Sequence, residues 1–196
     1  MVNNHSLNTI IEYLNNNDSV VYPTSTLPAL GCKPNKIALD CLFKIKNRPA
    51  ELPVSLGVID LEQVSDIIDY DDISIDILNY FPKGSLTLIL PAKKTLDQRL
   101  GGDWIGVRPV VEEKAIQLIS KTGPITATSA NISGEKPLID CKKAALQLKL
   151  QPDQFIPAQT KGGAPSTLVK VDKKVTVMRE GVISRQEVAE WSKKLT

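Results

Sequence analysis

Two periods alternate along the chain. Leu7, Ile10, Ile11 and Leu14 recur at the spacing of one helical face, and Val20-Val21-Tyr22 follows as a β-branched and aromatic run. Ser6 is placed to cap that first helix, "NNND" to end it, and Pro23 to end the strand, because proline cannot donate to a ladder. A second helix is predicted from Asn35, with a buried stripe of Ile37, Ala38, Cys41, Leu42 and Ile45, stopped by Pro49. Buried strands are predicted over Pro53–Ile59, Ser85–Leu90, Trp104–Arg108 and Ile125–Thr128, with a late pair in "STLVKV" and "KVTVMRE". Between them, Asp60 caps a short helix, a helix around Ser74 to Tyr80 ends at Pro82, and another covers Val111–Lys121. Asp140 caps a helix to Leu150, and Ser184 with Glu187 forms a capping box for the last one. Strands alternating with helices predict an α/β fold, and the late strand pair makes its sheet mixed. With no repeat and no linker, residues 1–196 are expected to form a single domain with no additional C-terminal one.

Composition narrows the function classes. At 42% hydrophobic and 23% charged residues the chain reads as soluble and globular, and no apolar run is long enough for a membrane span. Met1 to Asp18 lacks the basic-then-apolar layout of a secretory signal, so a cytoplasmic location is expected. Cys32, Cys41 and Cys141 are odd in number and widely spaced, as reduced thiols would be. The only histidine, His5, lies in a polar N-terminal segment, which argues against a histidine-based triad or a catalytic zinc. A net charge of +2 does not by itself point to nucleic acid, so local clusters must decide.

One such cluster is "KIKNRP", with Lys44, Lys46 and Arg48 at a helix end. Cations there also suit the helix dipole, by about 0.3–1 kcal/mol each. Pro49, however, disfavours helical geometry at Arg48, which predicts that Arg48 leaves the helix. If it faces the hydroxyl run "YPTST" after the first strand, cations and hydroxyls would form a concave site for a polyanion such as a nucleoside triphosphate. No GxxxxGK[ST] or GxGxxG element is present, so phosphate would be met by side-chain cations. "TKGGAPST" offers glycine amides and Ser166, or a plain loop. Asp69, Asp71 and Asp72 read as a solvated turn that favours the next helix N-terminus, not as a magnesium site.

In their order, "YPTST", "KIKNRP", "GSLTLILP", "IGVRP", "TATSANISGEKP", "PSTLV" and "VMREG" resemble the motifs of the YrdC-like threonylcarbamoyl-AMP synthase family, from about Val20 to Gly181. The resemblance implies a twisted α/β sheet around a positively charged cavity. It also implies a nucleotidyltransferase that joins L-threonine, bicarbonate or CO2, and ATP into threonylcarbamoyl-adenylate and pyrophosphate. The product would supply N6-threonylcarbamoyladenosine in tRNA. Magnesium would arrive on the ATP phosphates without a protein metal cage, and a downstream threonylcarbamoyl-transferase complex and tRNA become candidate partners.

Carried over by position, Lys46 and Arg48 would serve the reaction and bind ATP, with Lys44 as a helper. Ser129, Asn131 and Arg179 would complete the nucleotide site. Thr24, Thr26, Arg108, Thr128 and Ser166 would hold threonine, Arg108 taking its carboxylate with bidentate geometry. Ser25, Pro28 and Ala29 depart from the family pattern, where an acid, an aromatic and a glycine are usual, and this bears on amino-acid specificity. Two rival readings are a related ATP-dependent enzyme using another amine or carbamoyl donor, and a noncatalytic tRNA or double-stranded RNA-binding module. Aromatic residues at 5% argue against a single-strand stacking platform.

Overall fold

The computed structural model describes residues 4–194; the side chain of His5 lies outside the described set. The first helix, α1 (Asn4–Asn15), begins before Ser6, so that residue sits within the helix instead of capping it. Strand β1 (Val20–Tyr22) is followed by β2 (Ala29–Gly31), a strand that the run of hydroxyls and prolines concealed. The chain continues through α2 (Lys36–Lys46), β3 (Ser55–Val58), α3 (Asp72–Tyr80), β4 (Leu86–Pro91) and β5 (Trp104–Pro109). Next come α4 (Glu113–Thr122), β6 (Ile125–Ser129), α5 (Cys141–Gln147), β7 (Thr167–Val171), β8 (Val175–Arg179) and α6 (Arg185–Ser192).

Local chemistry explains most boundaries. Asn35, Asp71, Asp140 and Ser184 each accept a backbone N–H of the turn they cap, and Ser184 with Glu187 closes a full capping box. Asp71 also takes the Ser74 hydroxyl at 2.8 Å, so the acidic turn serves the helix. The segment after Asp60 makes only a single 3-10 turn, Glu62–Val64.

The eight strands form one mixed sheet in the order β1-β2-β6-β3-β5-β4-β7-β8. Only β3 with β5 and β4 with β7 are parallel. The edge at β1 is covered, because Val21 donates to Gln154 and accepts from Ile156 at 2.9 and 2.8 Å. Leu56, Val107, Leu88 and Val169 pair in register across four central strands and all enter one core. Each such buried aliphatic side chain is worth roughly 1.5–3 kcal/mol. Strand alternation therefore turns their neighbours Gly57, Arg108, Thr87 and Leu168 to the opposite face. A second core beneath α1 and α4 contains Ile10, Leu14, Tyr22, Leu118 and Ile125. Two glycines shape it: a Cβ at Gly31 would lie 2.7 Å from the Tyr22 ring, and one at Gly57 2.8 Å from its hydroxyl. Tyr22 fills that space, fully buried, and donates to the Thr126 carbonyl at 3.0 Å.

Candidate active site

The end of α2 is set by backbone geometry. Asn47 adopts left-handed φ 48°, its N–H returning to the Lys44 carbonyl, while the Arg48 N–H returns to Phe43 at 3.0 Å. Arg48 consequently leaves the helix, as Pro49 predicted. Its Nε donates to the Leu52 carbonyl at 2.7 Å and its Nη2 to Pro53 at 3.0 Å. Lys44 remains exposed on the last helical turn.

Lys46 points inward and is only 1% exposed. Its Nζ donates to the backbone carbonyls of Ser129 and Asn131, the latter at 2.6 Å. The Ser133 N–H in turn donates to the Lys46 carbonyl at 2.8 Å, so α2 and the turn after β6 grip one another. Desolvation, aided by Arg48, pushes the Lys46 ammonium down to about 8.

Arg108 projects from β5 on the face away from the aliphatic core. It is buried, its Nη2 donating to the Thr26 hydroxyl at 3.0 Å and to the Gly84 carbonyl at 3.3 Å. Thr24 acts one step away: its hydroxyl donates to the Leu27 carbonyl at 2.7 Å and accepts from the Thr26 N–H, closing the β1–β2 loop. Ser25 donates to Gly84 at 3.1 Å, a second tie between this loop and the turn before β4.

Arg179, at the end of β8, donates to the Ser166 carbonyl at 3.0 Å, and the Ser166 hydroxyl is 2.7 Å from that of Thr87. Burial lowers Arg108, and partial desolvation lowers Arg48 and Arg179, from the usual guanidinium value, and the Arg179 charge lowers both of the other two. Lys46, Arg48, Arg179 and Arg108 thus form a chain of repelling neighbours. Among the described residues none of the four pairs with a carboxylate. Lys46 and Arg108 are buried, Arg48 is half-buried and Arg179 is exposed, so two of the four are buried cations without an ion-pair partner, where buried charges are ordinarily paired. What the arrangement can do is receive an anion.

Other predicted residues lie around this line. Thr128 and Ser129 are half-buried on β6 opposite Leu30 and Ala29, and Ser129 contributes its carbonyl to Lys46. Asn131 donates through Nδ2 to the carbonyls of Ile132 and Glu135, both at 2.8 Å, while its buried Oδ1 has no partner among the described residues. The buried Ser133 hydroxyl is likewise unpartnered. Thr87 and Ser133 carry no individual signal among the sequence motifs. Thr87 was accessible from alternation in "SLTLIL", which leaves the threonine facing away from Leu86 and Leu88. No group of three His, Cys, Asp or Glu residues among those described could hold a metal ion. No helix among them is long and apolar enough to cross a membrane.

Residues 12–181 match the Sua5/YciO/YrdC family, described as telomere recombination. The chain is 35% identical over 154 residues to the threonylcarbamoyl-AMP synthase of Actinobacillus pleuropneumoniae, covering 75% of this chain and 82% of that one. It is 32% identical over 158 residues to that of Idiomarina loihiensis, with 76% and 84% covered. E. coli YciO superposes with a TM-score of 0.80 at 27% identity, covering 93% of this chain and 92% of that one. P. abyssi Sua5 complexed with L-threonine superposes at 0.83 with 24% identity, a likeness of fold. Here 94% of this chain is covered, but the chain spans only 56% of that Sua5.

Proposed function

Since the chain belongs to the Sua5/YciO/YrdC family, we propose that it is a threonylcarbamoyl-AMP synthase, forming threonylcarbamoyl-adenylate and pyrophosphate from L-threonine, bicarbonate or CO2, and ATP. The observation that carries this reading is the set of four cations with no carboxylate ion pair among the described residues, bordered by the threonine hydroxyl that holds Arg108.

The chemistry calls for such a row. The neutral threonine amine attacks the carbon of CO2 and loses a proton, giving a carbamate. A carbamate oxygen then attacks the α-phosphorus of ATP as the bond to the bridging oxygen breaks and pyrophosphate leaves. Three anionic groups must converge: the amino-acid carboxylate, the carbamate and the polyphosphate. At an effective dielectric near 20, two like charges about 4 Å apart repel by roughly 4 kcal/mol. Fixed cations offset that repulsion without a covalent protein intermediate.

In this assignment Arg108, fixed by Thr26 and Gly84, takes the threonine carboxylate, while Thr24, Thr128 and Ser166 shape the surrounding wall. Lys46 and Arg48 take the phosphates, Lys44 assisting from the exposed turn, and Arg179 closes the site. Ser129 and the unpartnered Asn131 Oδ1 meet donors on the substrates. Magnesium enters on the ATP phosphates. The cytoplasm as location, tRNA as the product's destination and a threonylcarbamoyl-transferase complex as its acceptor belong to the same proposal. Incubating the protein with ATP, bicarbonate and each amino acid in turn, and measuring pyrophosphate, tests it; threonine-dependent release is expected, and threonine-independent or absent release would overturn it.

A further inference from the structure

Away from the four cations, a cavity of about 580 Å3 opens behind the turn that carries Gly84. That volume is within the range of small-molecule sites. Ile75 and Leu78 of α3 form one wall, Val111 and Ile116 another. Ile75 is 42% exposed, an aliphatic side chain left partly wet at a concave surface. The polar groups have a definite sign. Asp60 and Glu62 line one side, and neither pairs with a cation among the described residues. Glu62 Oε2 accepts the Tyr70 hydroxyl at 2.9 Å and Asp60 Oδ1 accepts the Gln63 N–H at 3.0 Å, which leaves one oxygen of each carboxylate for a visitor. Both carboxylates raise the Tyr70 hydroxyl from its ordinary value, so their fields meet over that ring. Among the described residues Lys83 is the one cation in the lining. Polyphosphate and amino-acid carboxylate, which suit the cation row, do not suit this cavity.

Gly84 belongs to both places. It lines the cavity, and its carbonyl receives both Arg108 and Ser25. At φ 78° it has no slack: a Cβ there would lie 2.6 Å from the Ser25 hydroxyl and 3.1 Å from Val111. The turn that borders the cavity beside Val111 is thus the one that supplies the acceptor of Arg108.

We propose that this cavity is a second ligand site, taking a small molecule with an apolar body and one ammonium group, whose occupancy alters amino-acid binding through Gly84 and Arg108. The coupling to the amino acid rests on the synthase reading above; the binding does not.

A suitable probe is 2-phenylethylamine, with the anion 3-phenylpropionate as its charge-reversed counterpart. Titrating the 15N-labelled protein with the amine should give saturable shifts of the Gly84, Val111 and Ile116 amides. The acid should bind at least 10-fold more weakly. Ile75→Lys, at an exposed position where folding is not at stake, should abolish the shifts caused by the amine. Threonine affinity, read by calorimetry without ATP or turnover, should change at least 3-fold when the amine is saturating. Absence of saturable shifts, equal binding of the acid, or full binding to Ile75→Lys would overturn the site. Unchanged threonine affinity in an amine-saturated protein that binds threonine would overturn the coupling. A protein that binds the amine but not threonine would instead refute the synthase reading.

Discussion

Lys46 donates from its ammonium to the backbone carbonyl of Asn131 across 2.6 Å, and among the described residues it forms no ion pair with a carboxylate. The helix that ends in "KIKNRP" and the turn that begins in "TSAN" are thereby locked together by a charge the fold leaves uncompensated. In the proposed reaction the ATP phosphates supply the missing counter-charge.

Among the described residues, the Arg48 guanidinium donates to carbonyls of its own loop, at Leu52 and Pro53. Arg48→Ala should therefore leave the circular dichroism spectrum unchanged while lowering pyrophosphate release by at least about 100-fold, the scale of removing one preorganised charge-stabilising donor. Retained turnover would remove Arg48 from the phosphate site.

The pH dependence has a defined sign. Lys46 titrates near 8, below its ordinary 10.5, so the unliganded protein loses this charge on passing pH 8. ATP affinity measured by calorimetry should fall from pH 7 to pH 9, and Lys46→Arg should flatten the profile. Because the folded-state value is depressed, the unfolded chain holds the proton more tightly between about 8 and 10.5. Lys46 thus contributes stability that increases with pH across that window, and denaturant titrations of Lys46→Met should lack this increment.

Arg108→Lys keeps the positive charge but loses the planar fork that serves Thr26 and Gly84 while presenting further N–H groups to a carboxylate. The threonine KM should rise roughly 10–100-fold with a smaller effect on the ATP KM. Equal effects on both would place Arg108 elsewhere in the reaction.

Gly84→Ala meets both a left-handed backbone and a contact of 2.6 Å with Ser25. It should destabilise the protein by roughly 1–3 kcal/mol in urea unfolding. Combining it with Ser25→Gly, which removes that contact, should recover part of the loss; an additive pair would show the φ constraint alone to be at work.

What could be read from the sequence was mostly local. Asn35, Asp140 and the Ser184–Glu187 box announce their helices because a cap acts within three residues. The exit of Arg48 from α2 follows from its proline neighbour. Strand β2 was hidden because turn-forming residues surround it; it pairs with β1 through Tyr22 and Ala29 and with β6, about a hundred positions away, through Ala29 and Ser129. The family motif singles out Lys46, but nothing in the sequence shows that two main-chain oxygens would receive its ammonium. Thr24 was expected to face a ligand, whereas its hydroxyl is engaged in shaping the loop that presents Thr26.

The strand order also fixes when during synthesis the protein can become active. Thr26 and Arg108 meet across 82 positions, and Thr87 and Ser166 across 79. A chain emerging from the ribosome at about 5–20 residues per second carries its first hydroxyls and cations for many seconds before β7 and β8 exist. Over that interval the early strands lack the neighbours that complete their sheet, and Arg48 lacks Arg179. Substrate binding is thus among the last properties acquired, and fragments ending before Ser166 should be inert even where their helices have formed.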